Sequence, residues 1–147
     1  MGVFPIRYIN DEMQLLLIQR DKKDDYYPNS WQILYGHCKT GEKLLNTVKR
    51  EIKEEIGIDD YELFTLNETM VVYDVLSDRI MNIPLFVAIF SDDSEVIVNF
   101  TENQNMCWVG KRQAKEKLDW HNSKDMVDLV WKLFGRGVPP ECYRLNR

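Results

Sequence analysis

The stretch that decides the fold runs from Gly36 to Ile58, GHCKTGEKLLNTVKREIKEEIGI. Its second part, Leu44 to Ile56, reads as a helix. Leu45, Val48, Ile52 and Ile56 recur at three- and four-residue spacing and share one face, which is expected to be buried. Gly57 follows at the helix end, where a left-handed cap costs least in glycine. Glu54 and Glu55 lie three and four residues after Glu51, so three carboxylates cluster on an adjacent face near the C-terminal end. That placement is unfavourable in two ways. Like charges at this spacing repel by roughly 0.2–0.5 kcal/mol per pair, and carboxylates at a helix C-terminus oppose the macrodipole. Converging carboxylate oxygens suit a hard divalent cation. A bound cation would turn repulsion into coordination, neutralise substrate phosphates and activate a water. Glu-rich helices are also common as plain solvated faces, so the Glu-x-x-Glu-Glu spacing alone leaves both readings open.

Outward from this helix, the chain alternates between strand-like and helical patterns. Val3 to Ile9 and Gln14 to Gln19 read as strands, the second too apolar for an exposed position and hence central, with Asn10-Asp11-Glu12 as the turn between them. A polar loop, Asp21 to Ser30, carries Tyr26, Tyr27 and Pro28, and Trp31 to Tyr35 is a short strand. After the helix, Thr69 to Leu76 and Arg79 to Phe90 form a hairpin about Ser77-Asp78. Val96-Ile97-Val98 and Met106-Cys107-Trp108 are further short strands, and Lys111 to Lys117 is a short helix. Ser123 to Phe134 is a longer helix, with Met126, Val127, Val130, Trp131 and Phe134 at helical spacing. Gly135 to Arg147 is Pro- and Gly-interrupted and reads as irregular. The order β-β-β-α-β-β-β-β-α-α predicts an α/β class fold, a mixed β-sheet flanked by helices.

The 147 residues suit one domain spanning 1–147. No apolar run approaches the roughly 20 residues of a membrane helix, and Met1 to Arg7 lacks a signal-peptide layout, so the expectation is a cytoplasmic chain with no membrane partner. Cys38, Cys107 and Cys142 lie far apart and, with two histidines, make no zinc-type cluster; they read as reduced thiols, mostly in packing roles. The net charge of -5 repels nucleic acid. It also repels a small anionic substrate unless a cation is held at the site.

The whole of Gly36–Ile58 resembles the Nudix box, Gly-x5-Glu-x7-Arg-Glu-U-x-Glu-Glu-x-Gly-U, where U is a bulky aliphatic residue. Gly36, Glu42, Arg50, Glu51, Ile52, Glu54, Glu55, Gly57 and Ile58 fill its constrained positions. The resemblance implies an α/β/α sandwich and a Mg²⁺-dependent hydrolase of diphosphate linkages, with Mn²⁺ as the alternative metal. By position, Glu51 and Glu55 would be the main metal ligands and Glu54 a further one, direct or through water. Arg50 would orient a box carboxylate, and Glu42 would hold the loop to the helix. Gly36 and Gly57 would be backbone-conformation positions. The family often carries Gly-Gly or Thr-Gly before the box. Here Leu34-Tyr35-Gly36-His37 stands instead, a departure by which Tyr35 and His37 would reshape the site mouth, with a surface position the expected reading of His37.

A second similarity rests on Leu17-Ile18-Gln19-Arg20, Ser30-Trp31-Gln32, Phe100-Thr101-Glu102-Asn103 before Trp108, and Trp120-His121-Asn122. This layout is similar to the dihydroneopterin triphosphate pyrophosphatases, which also hydrolyse deoxynucleoside triphosphates such as dATP. It implies a metal-ligand or general-base role for Glu102 and a phosphate contact for Arg20. Trp31 and Tyr35 join Arg20 as candidate substrate-binding residues, with Tyr26 and Tyr27 as stacking candidates. Trp108 and Trp131 read as core, and Trp120 as bordering the pocket. The implied reaction is attack of water on one phosphorus with Glu102 or Glu54 as base, giving a monophosphate and pyrophosphate. The implied partner is a nucleotide-like small molecule, for a monomer or homodimer. Alternatives are a dinucleoside polyphosphate or nucleotide-sugar hydrolase, a non-catalytic ligand-sensing module, and an isomerase of the same fold.

Overall fold

Strand β2 (Glu12–Arg20) carries four consecutive buried side chains, and they explain the layering. Leu15 and Leu17 point into one apolar cluster, and Leu16 and Ile18 into another. Since successive residues of a strand face opposite sides, β2 is covered on both faces. Each such side chain stabilises the fold by about 1.5–3 kcal/mol relative to exposure. The structure is a computed structural model, and the residues described are 1–97, 103–137 and 139–145.

The other elements are β1 (Gly2–Ile9), β3 (Trp31–Gln32), β4 (Leu34–Tyr35), α1 (Leu44–Ile56), β5 (Glu62–Asp74), β6 (Arg79–Ile89), β7 (Asn103–Val109), α2 (Lys111–Lys117), α3 (His121–Phe134) and a 3-10 turn at Glu141–Tyr143. The mixed sheet runs β3-β2-β1-β6-β5, with β4 pairing β1 and β7 pairing β2. Only β1 and β6 pair in parallel among these strands. Val48, Ile52 and Ile56 of α1 pack with Val3, Leu16, Ile18, Phe86 and Ala88. Ala114, Val127, Val130 and Phe134 of α2 and α3 pack with Phe4, Ile6, Leu15, Leu17 and Val87 on the other face. Helix, sheet and helix thus form three layers, the α/β sandwich expected.

Several expectations need correction. Leu45 is 41% exposed; the inward row is Val48, Ile52 and Ile56, with part-buried Leu44 before them, four residues apart throughout. The single strand expected at Trp31–Tyr35 is two pieces broken at Ile33. Gln32 pairs with Ile18 of β2, whereas Leu34 pairs with Val3 of β1, so the chain steps sideways from one strand to the next. Strand β5 begins at Glu62, not Thr69, and the polar residues between sit in a bulge. Thr65 faces Phe86 and Thr69 faces Pro84, with Asn67 in the left-handed region at φ 53°. Val96 and Ile97 are not strand; Val98 lies outside the described residues. Cys38 and Cys142 are exposed, so packing describes only part-buried Cys107, whose thiol burial pushes up. Trp108 and Trp131 are partly buried against the two clusters. No described helix is long and apolar enough to cross a membrane.

Candidate active site

Helix α1 lies across the sheet on the face that also carries Ile18 and Leu34, and its solvent-side edge borders a cavity of about 520 Å³. Glu51, Glu54, Glu55 and Arg50 line it from the helix. Arg20, Ile18 and Gln32 line it from the sheet, and Gly36 to Lys39 from the connecting loop.

Arg50 organises the helix side. Its Nε and Nη2 donate to Glu42 Oε1 and Oε2, each at 3.0 Å. Nη1 donates to Glu51 Oε1 at 2.8 Å and Glu54 Oε2 at 2.9 Å, and Nη2 donates to the His37 carbonyl at 3.0 Å. These five bonds match the five N–H groups of a guanidinium, so Arg50 is spent on its neighbours. Glu42 first, then Glu54 and Glu51, hold its proton more tightly than usual. Glu42 also accepts the Lys39 amide at 3.0 Å and the Thr47 hydroxyl at 2.9 Å, which ties the loop to the helix.

The Arg50 guanidinium, followed by the Lys39 amide and the Thr47 hydroxyl, holds the Glu42 carboxyl at about 2, below its ordinary 4.5. A depressed pKa contributes stability that is complete above the unfolded value and is lost as pH falls through the folded one. Glu42→Gln should therefore melt below wild type at neutral pH. The gap should hold down to about pH 5 and close between 4.5 and about 2. Thermal melts across that range check this; a gap still undiminished at the acid end would mean that Glu42 is not held as its geometry indicates.

Glu51 is 13% exposed and Glu54 50% exposed at the side chain, whereas Glu55 is buried at 8%. Asn103 is buried too, and its Nδ2 donates to Glu55 Oε2 at 2.5 Å. Among the described residues, no three carboxylate, imidazole or thiolate groups gather round one point. Instead Arg50 and Asn103 each tie an oxygen of these side chains. The donor set is nonetheless all hard oxygen, the chemistry a divalent cation such as Mg²⁺ takes.

The structure brings Arg20, Tyr35, Arg50, Glu51, Glu54 and Glu55 to this one cavity. Glu102 lies outside the described residues. Trp31 does not line the cavity: its amide donates to Asp119 Oδ2 at 2.9 Å, and Lys117 Nζ sits 4.4 Å from its ring centre. Tyr35 packs against the α2/α3 cluster, and its hydroxyl pairs with Ser123 Oγ at 2.9 Å, with burial raising its pKa. Its ring is thereby committed to the core. Tyr26 and Tyr27 are exposed, and Tyr27 meets Trp120 edge-on at 4.8 Å, away from the cavity-lining residues. Sequence reasoning missed Asn103 and Lys39. Asn103 is the neighbour of a residue singled out for chemistry, but nothing in the sequence says that it reaches back 48 positions to Glu55.

The family model described as NUDIX domain matches residues 2–130. An RNA pyrophosphohydrolase from Ruthia magnifica subsp. Calyptogena magnifica is 28% identical over 131 residues, 88% of this chain; the chain spans 65% of that protein's length. A dihydroneopterin triphosphate diphosphatase from Haemophilus influenzae is 25% identical over 137 residues, 86% of this chain and 84% of that one. A solved C. elegans Ap4A hydrolase is similar in structure with a TM-score of 0.77 at 22% identity, covering 93% of this chain and 96% of that one.

Proposed function

The chain belongs to the Nudix family, and from that premise we propose that it hydrolyses a diphosphate linkage in a nucleoside or pterin triphosphate, giving a monophosphate and pyrophosphate. The observation that carries this is the cavity. It is large enough for a nucleotide-sized ligand, with three carboxylates on its helix side and Arg20 and Lys39 among its other lining groups. The similarity to a dihydroneopterin triphosphate diphosphatase supports the substrate class. We further propose that residues 1–147 act as one catalytic unit, in the cytoplasm, on a small molecule; the net charge of -5 supports the last point.

Glu51, Glu55 and Glu54 would hold Mg²⁺, or Mn²⁺ in its place. A cation held there supplies charge neutralisation at phosphate and a more acidic water. Arg50, its N–H groups bonded within the protein, sets the directions of Glu51 and Glu54. Asn103 fixes Glu55, and such supporting bonds tune metal sites strongly. Water attacks one phosphorus and Glu54 takes its proton, Glu102 being the alternative base. The bridging P–O bond breaks and pyrophosphate leaves with the bond electrons. Glu54 suits this role because it is half exposed and, among the described residues, is bonded through only one oxygen.

A second reading, removal of phosphates from a 5′-triphosphate RNA, is favoured by the 28% identity to an RNA pyrophosphohydrolase. The test is incubation with dATP, other nucleoside triphosphates, dihydroneopterin triphosphate, diadenosine tetraphosphate, ADP-ribose and a 5′-triphosphate RNA in excess Mg²⁺. Pyrophosphate release from a free triphosphate, abolished by EDTA, is the expected outcome. Cleavage of the RNA, the tetraphosphate or ADP-ribose alone would replace the substrate class. Tight binding without cleavage of any of them would point to a sensor.

A further inference from the structure

Arg20 differs from Arg50 in the way that matters for an anionic ligand. Its Nε donates to Asp24 Oδ2 at 2.9 Å and its Nη2 also reaches that oxygen. Nη1 has no acceptor among the described residues, and Arg20 lines the cavity. One edge of the guanidinium is therefore held while another donor is left for a ligand, the division a phosphate-binding arginine needs. Asp24 is itself fixed. Its Oδ1 accepts the amides of Tyr26 at 3.0 Å and Tyr27 at 2.8 Å, an Asx-type turn. Its amide donates to the Asp21 carbonyl at 3.0 Å, and the loop base closes where the Arg20 amide meets the Ser30 carbonyl at 3.0 Å.

We infer that Asp24 is the positioning residue of this cavity, holding Arg20 so that its guanidinium meets an anionic phosphoryl group of the substrate or of the pyrophosphate product. This rests on the functional reading above. The Arg20 bond and the Tyr26 and Tyr27 amides keep the Asp24 carboxyl at about 2, so it is charged throughout the working range.

The sign of the effect is diagnostic. Removing the charge of Asp24 would, by Coulomb attraction alone, favour an incoming anion. Weaker anion binding on its removal therefore cannot come from the lost charge itself, and the Arg20→Ala background separates lost orientation of Arg20 from a general loss of the loop. Asp24→Asn keeps the Oδ1 acceptor for both amides and turns an amide donor toward the guanidinium, so the turn survives while the pairing does not.

The experiment is a double-mutant cycle of Asp24→Asn and Arg20→Ala. It reads inorganic pyrophosphate affinity by calorimetry in Mg²⁺, and kcat and KM for the best triphosphate. In the wild-type background Asp24→Asn should weaken pyrophosphate binding and raise KM about tenfold, the scale of one charge-assisted bond, with kcat changed less than about twofold. In the Arg20→Ala background it should change neither. Tighter pyrophosphate binding by Asp24→Asn, or an equal loss in both backgrounds, would overturn the inference, the latter showing a purely structural loop. A wild-type protein that turns over no triphosphate would sink the functional reading instead, while the pyrophosphate cycle would still decide the role of Asp24.

Discussion

Glu55→Gln is expected to lower turnover by at least about a thousandfold, the scale on which single members of an interdependent catalytic set are lost, and to leave the fold intact. Glu55 sits at 8% exposure beside Ile52 and Ile56 on the buried side of α1. Gln has the same shape, and its amide oxygen still accepts from Asn103 Nδ2. What disappears is a negative charge at the point where the proposed cation would be held. Without metal that charge is a liability: it repels Glu51 one turn earlier by roughly 0.2–0.5 kcal/mol and opposes the helix dipole by about 0.3–1 kcal/mol. In EDTA the variant should therefore melt at or above wild type. Adding Mg²⁺ should reverse the order, because a ligand bound only by the folded state raises Tm and the variant has lost a ligand. A well-folded Glu55→Gln protein with near wild-type rate, or with an undiminished Mg²⁺-dependent rise in Tm, would remove Glu55 from the site.

The parts of this molecule legible in the sequence are those whose causes are local. The bounds of α1, Leu44–Ile56, follow from periodicity and from a stop at Gly57, whose φ of 79° places it in the left-handed region, and α2 lies at Lys111–Lys117 as expected. The placement of Glu51, Glu54 and Glu55 along α1 is legible because it depends only on helix geometry, but their expected convergence on one point is not found among the described residues. What tertiary contact decides is not legible. Thr69 reads as the start of a strand, and only pairing with β6 shows a longer strand that begins at Glu62 and carries a bulge between Thr65 and Thr69. Trp31 looks like a stacking platform by its place before the box, yet a bond to Asp119 and a cation over its ring hold it outside the cavity lining. Asp24 carries no signal in the sequence, since a four-residue spacing pairs side chains on a helix and this stretch is a loop. Its double task, one oxygen for a guanidinium and the other for two amides, appears only once the loop is closed. Nor does the sequence tell that Arg50 bonds Glu51 and Glu54 while Asn103 bonds Glu55.

Gly36→Ala should lower turnover by about a hundredfold, for a reason that revises how this glycine is understood. Gly36 is not among the residues at positive φ, so backbone freedom does not explain it. A Cβ there would lie 2.3 Å from Glu51 Cγ and 2.4 Å from Cδ, which no real contact tolerates. The backbone has little room to retreat, since the Gly36 amide is bonded to the Met1 carbonyl at 3.1 Å. Glu51 must move instead, and with it the 2.8 Å bond to Arg50. A displacement on the order of 1 Å at a reactive centre costs about 10²-fold in rate, and forcing a methyl into a packed site costs about 1–3 kcal/mol of stability. Gly57→Ala is the control from the same motif. It strains a left-handed cap by about 1–2 kcal/mol and brings a Cβ to 3.2 Å from that of Ile97, but presses on no carboxylate. The two alanine variants should thus separate: Gly57→Ala loses Tm and keeps its kcat, whereas Gly36→Ala loses rate beyond anything its melting curve accounts for. If Gly36→Ala instead retains wild-type kcat and Mg²⁺ affinity, the position of Glu51 is immaterial to the chemistry, and the helix side of the cavity has been assigned to the wrong carboxylates.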